Sequence, residues 1–111
     1  MNVQLAATDL TWRHIGTIDD IRPQSARKLR WGDMTIAVFR TGADAIFALE
    51  DRCPHRNGPL SEGIVHDGCV TCPLHNWVIS LEDGTAQGAD EGRVRRFPVR
   101  LDGRDIYISL G

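Results

Sequence analysis

The sequence predicts an all-β fold of stacked antiparallel sheets, and three observations support that expectation. Apolar residues alternate in short runs, Asp-Gly or Gly-Asp pairs punctuate the runs, and no segment keeps apolar residues at i, i+3, i+4 and i+7 over three turns. Asp-Gly is favoured where a hairpin needs positive φ, because glycine has no Cβ to clash and aspartate tolerates the left-handed region.

Taken along the chain, residues 1–10 read as a flexible tail and 11–111 as a single domain. TWRHI (11–15) reads as a strand, and residues 18–21 fit one helical turn before Pro23. MTIAVF (34–39) and AIFALE (45–50) alternate on either side of the turn-like TGAD. Further runs are WVISL (77–81), VRRFPV (94–99) and DIYISL (105–110). The pairs Gly32-Asp33, Asp67-Gly68, Asp83-Gly84 and Asp102-Gly103 lie between or beside these runs, which gives three or four hairpins. Pro98 has no N–H for a ladder and belongs at an edge or a bulge.

At 111 residues the chain can bury about two thirds of the surface that its unfolded form exposes, so a core without disulfides is feasible. Three cysteines is an odd number, and the start MNVQLAATDL lacks a basic segment followed by an apolar run. Both features predict a cytoplasmic protein. The longest unbroken apolar run, AIFAL, is far short of the roughly twenty residues that span a bilayer, so no membrane partner is expected. The net charge is −2 and the basic residues are scattered, which argues against a nucleic-acid partner.

The chemistry concentrates in CPHRNGPLSEGIVHDGCVTCPLHNW, residues 53–77. Two Cys-Pro pairs are each followed by a histidine: Cys53-Pro54-His55, then sixteen residues, then Cys72-Pro73-Leu74-His75. Prolines and glycines crowd this stretch, so both segments are expected to be stiff loops outside the strands. Two thiolates and two imidazoles suit zinc or an iron–sulfur cluster. A structural zinc knuckle usually leaves two to four residues between paired ligands, whereas Cys53 and His55 have one. A binuclear centre relieves that constraint, because each loop can give its thiolate to one metal and its imidazole to the other.

This pattern resembles the ligand motif of the Rieske 2Fe-2S family. The resemblance implies a Rieske-type fold with two cluster-binding loops, Cys53 and Cys72 on the inner iron, and His55 and His75 on the outer one. Gly58, Leu60, Pro73 and Trp77 also fit that family's loops. Gly58 and Leu74 occupy the positions where the cytochrome-complex branch carries an extra disulfide, which places the chain with the ferredoxin-like branch. Within it, CPLHNWVISLEDG and AQGADEGRVRRFPVR are similar to the small subunit of assimilatory NAD(P)H-dependent nitrite reductase. That likeness implies an electron-transfer subunit of an oxidoreductase, with no turnover alone. Its partner would be a large subunit carrying flavin, sirohaem and a further iron–sulfur cluster.

Other readings of the same residues are a free-standing Rieske ferredoxin of an aromatic-ring oxygenase and a non-redox zinc-binding or docking subunit. Cys69 and Cys72 form a Cys-x-x-Cys pair, but no helix near a βαβ pattern accompanies it, so Cys69 reads as a buried strand residue or free thiol. His14 and His66 lack a partner at ligand spacing. Arg27, Lys28 and Arg30, with Arg93, Arg95 and Arg96, read as solvated strand faces rather than a docking site. Trp77 is the tryptophan expected to pack over the cluster loops.

Overall fold

The computed structural model describes residues 12–54, 58–74, 76–88 and 92–109. The expected tail at residues 1–10 lies outside the described residues. Among the described residues, ten strands form three antiparallel sheets: β1 (Trp12–Thr17), β2 (Ser25–Trp31), β3 (Met34–Arg40), β4 (Ile46–Glu50), β5 (Ile64–His66), β6 (Cys69–Thr71), β7 (Val78–Ser80), β8 (Arg96–Phe97), β9 (Val99–Asp102) and β10 (Asp105–Ser109). The sheet orders are β1-β10-β9, β2-β3-β4-β8 and β5-β6-β7. The all-β, antiparallel expectation holds.

Alternation along β3 and β4 stacks these sheets into three layers. Ile36 and Val38 of β3, with Ile46 and Ala48 of β4, face Ile106 and Ile108 of β10. Ala37 and Phe39, with Leu49, face Val65, Val70 and Ile79 of the small sheet. The pairs Phe39↔Phe47 and Val38↔Ala48 keep the two faces in register. The central sheet is therefore buried on both sides, and its third layer carries the loops.

The turns follow the sequence signals. Asp67 and Gly68 both have positive φ, 50° and 72°, and join β5 to β6; Gly32 and Gly103 serve the β2–β3 and β9–β10 hairpins. The expected helical turn forms as a 3-10 turn at Ile18–Asp20, with the Thr17 N–H donating to the Asp20 carboxylate at 2.9 Å, and a second 3-10 turn spans Leu60–Glu62.

Two expected strands are shorter than their patterns. VRRFPV divides at Pro98: β8 pairs with β4 in the central sheet, while β9 pairs with β10 in the outer one. Lacking an N–H, Pro98 sits where the chain crosses between sheets, and its carbonyl accepts the Ser109 N–H at 3.1 Å. WVISL contracts to Val78–Ser80, because the Trp77 carbonyl and the Leu81 N–H bond to Cys72 and Gly68 instead of a strand neighbour.

The charged strand β2 lies at a sheet edge, and its basic residues bracket the flanking layers. The Arg27 guanidinium donates to the Ile15 carbonyl of β1 at 3.0 Å, while the Lys28 ammonium reaches Glu62 at 3.5 Å. Such exposed contacts are individually weak. No helix among the described residues is long and apolar enough to cross a membrane.

Phe39 is fully buried in the layer that holds the loops. Phe39→Ala is expected to lower unfolding free energy by about 3–5 kcal/mol, as read from urea denaturation. A change below about 1 kcal/mol would mean that this face is not the core.

Candidate metal centre

Cys53 and Cys72 enter the site from different sheets and end in the same core cluster. Cys53 follows β4, Cys72 follows β6, and their exposures are 1% and 0%. Both thiols are free, and they are close enough to share a hydrogen bond. Burial pushes the Cys72 thiol up; the Leu74 N–H, donating to Cys72 Sγ at 3.4 Å, opposes that shift, and the neighbouring Cys53 adds to it.

One kind of bond shapes both loops. The Cys53 N–H donates to the Gly58 carbonyl at 2.8 Å, and the Cys72 N–H donates to the Trp77 carbonyl at 2.7 Å. Each cysteine thus closes a six-residue loop onto the fifth residue beyond it. His55 and His75 belong to the segments that these bonds enclose, but they lie outside the described residues.

The loops meet without room for a larger residue. A Cβ on Gly58 would stand 2.9 Å from Cys72 Sγ and 3.0 Å from Leu74 Cδ1. Asn76 adopts φ 57° directly after His75, a left-handed conformation that asparagine tolerates better than most residues. The arm after β7 returns through the bridges Ile79↔Ala86 and Thr85↔Arg93. It brings Gly92 so close that a Cβ there would stand 3.1 Å from Pro54 and 3.7 Å from the Trp77 ring. Trp77 is half-buried against the cluster containing both cysteines, consistent with its expected packing.

The first loop has a second closure, which the spacing of the motif does not announce. Asp51 accepts the Ser61 N–H on one oxygen and the Ser61 hydroxyl on the other, both at 2.7 Å. The two residues flank the first Cys-x-His segment and stand ten positions apart.

The two remaining histidines have structural partners. His66 lies 2.6 Å from the Thr71 hydroxyl and 3.2 Å from Asp67, and His14 lies 3.0 Å from Asp105. Cys69 stands across from His66 and Ser80 in its sheet. Cys72 turns to Cys53, so the Cys-x-x-Cys spacing does not make a dithiol site. Among the described residues no group of three or more metal-ligating side chains forms.

Two sulfurs sealed from water, side by side and not oxidised to a disulfide, are a donor pair for a soft metal. A profile of the Rieske-like [2Fe-2S] domain matches residues 11–109. The chain belongs to that family. As a Rieske protein it carries a 2Fe-2S cluster, and the paired cysteines fit the sulfur half of such a site. It is 38% identical over 106 residues to the anthranilate 1,2-dioxygenase ferredoxin subunit of Burkholderia cepacia, covering 95% of this chain and 97% of that one. The solved structure of NirD from Escherichia coli is 28% identical, with a TM-score of 0.78 over 92% of this chain and 98% of that one. A structure described as the small subunit of an NADPH nitrite reductase is 25% identical, with a TM-score of 0.78 over 89% of this chain and 98% of that one.

Gly58→Ala is expected to crowd Cys72 and reduce the iron and acid-labile sulfide retained after purification. Retention at the level of the unaltered protein would show that the loops can part. Burial and the carboxylates of Asp67 and Asp83 push the Cys69 thiol up, which lowers its thiolate fraction at pH 8. Cys69 of the cluster-loaded protein should therefore react with iodoacetamide more slowly than free cysteine, and faster as pH rises. Labelling at the rate of free cysteine would contradict this.

Proposed function

We propose that Cys53 and Cys72 hold one iron and His55 and His75 the other, within a domain spanning residues 11–111. On this reading the chain is the electron-transfer small subunit of an assimilatory NAD(P)H nitrite reductase. It would work in the cytoplasm beside a large flavin, iron–sulfur and sirohaem subunit that reduces nitrite to ammonia. A Rieske cluster supplies one-electron transfer at about −150 to +300 mV. The chain's own residues provide the setting: Cys53 and Cys72 lie in the core, the Leu74 N–H donates to a ligand sulfur, and Trp77 packs beside the loops.

The observation that carries this reading is the junction of Trp77, Pro54 and Gly92. Trp77 and Gly92 belong to the two stretches that resemble nitrite reductase small subunits, CPLHNWVISLEDG and AQGADEGRVRRFPVR, and they come together beside Pro54 of the first loop. The likeness to NirD and to the nitrite reductase small subunit, at 28% and 25% identity, supports the same reading.

A second reading, the ferredoxin of an aromatic-ring dioxygenase, is favoured by the 38% identity to the anthranilate 1,2-dioxygenase ferredoxin subunit over nearly the whole chain. The decisive experiment reduces the cluster-loaded protein anaerobically and mixes it with each partner. Reoxidation on adding nitrite with the sirohaem subunit, lost in His75→Ala, is the expected result. Reoxidation by a dioxygenase with its aromatic acid and oxygen, and none with nitrite, would replace the first reading with the second.

A further inference from the structure

The two loops are held closed in different ways at their bases. Beyond the Cys72–Trp77 bond, the second loop is closed by the β6–β7 ladder, where Thr71 pairs with Val78. The first loop leaves β4 at Glu50 and returns through the 3-10 turn Leu60–Glu62, which pairs with no strand. In the place of a ladder stands the Asp51 carboxylate, with both oxygens on Ser61 at 2.7 Å.

We propose that Asp51 is the positioning residue of the first iron-binding loop. Its carboxylate ties the two ends of the first loop together, so that Cys53 stays aligned with Cys72 of the second loop. The inference rests on the assignment of those two residues as ligands. Three observations connect Asp51 to the loop. Its own N–H donates to the Thr35 carbonyl at 2.8 Å, which ties the carboxylate's backbone to β3. The turn it reaches has no side-chain cap from Pro59, the residue at its start, so Asp51 supplies the missing acceptor across ten positions. Both bonds measure 2.7 Å and lie in a half-buried position, where loss of the acceptor would take the partner from two Ser61 donors at once. The next residue, Glu62, meets Lys28 of β2 at 3.5 Å, so the turn is held from two sides.

The test compares the cluster-loaded protein with Asp51→Ala, Asp51→Asn and Ser61→Ala, all purified anaerobically. The measurements are iron release to a chelator, the paramagnetic spectrum of the reduced state and the thermal midpoint. Losing both bonds in Asp51→Ala should speed iron release about tenfold and broaden the spectrum, while Ser61→Ala should give a smaller increase. Asparagine can still accept the Ser61 N–H, and its amide can donate to the hydroxyl, so Asp51→Asn should stay within about twofold of the unaltered protein. Iron release and spectrum unchanged in Asp51→Ala would overturn the proposal. So would equal lability of Asp51→Ala and Asp51→Asn with matching losses in thermal midpoint, which would mark a general weakening. If Asp51→Ala fails to fold, Ser61→Ala decides, and release at the unaltered rate overturns the proposal. Unaltered protein without iron would instead refute the ligand assignment.

Discussion

In both Cys-Pro segments the cysteine N–H turns inward to a carbonyl five residues ahead, at 2.8 Å in one loop and 2.7 Å in the other. Everything at the site depends on this pair of backbone bonds. They tighten each segment around its histidine position without a side chain, and they satisfy cysteine amides that would otherwise be buried without partners. Proline follows each cysteine with its φ already fixed, so less conformational freedom is lost in closing the loop. Two unrelated connections, one after β4 and one inside the three-stranded β5-β6-β7 sheet, are thereby closed by the same kind of bond.

The bonds shape the loops, and the layers hold them together. Cys53 and Cys72 share a cluster with Phe39, Leu49, Leu60, Val70 and Ile79, so the sulfurs are core atoms as well as candidate ligands. The central sheet supplies one wall of that core and the small sheet the other. A change in packing beneath the loops therefore reaches the sulfurs directly, and close-packed interiors yield little before they transmit such strain. The Leu74 N–H donates to Cys72 Sγ, so the backbone of the loop would bear on the electronic properties of a metal bound to that sulfur.

Much of this was legible in the residues, and the exceptions have physical causes. Strands β3 and β4 announce themselves because their alternate residues reach different layers and are apolar on both faces, and β10 because Ile106 and Ile108 alternate with Asp105 and Tyr107 on its outer face. Strand β2 is obscured by Arg27, Lys28 and Arg30, since an edge strand contributes only Ala26 and Leu29 to the packing. Three residues, as in β5 and β6, are too few to establish a period. VRRFPV looked like one strand because side-chain alternation continues through Pro98, while the missing N–H and the change of sheet are backbone events. The cysteines of the candidate site are legible because few residue types hold a soft metal. Loop closure is not, because it runs through main-chain atoms and through Asp51 and Ser61, whose types serve many purposes on a surface.

The pairing of Trp12 with Ser109 sets the first and last described strands side by side in the outer sheet. That sheet packs on the face of the central layer opposite the loops. A polypeptide joined to the domain there would enter and leave through neighbouring points, with the loop end unobstructed. The architecture is thus suited to insertion in a longer polypeptide without any change to its interior.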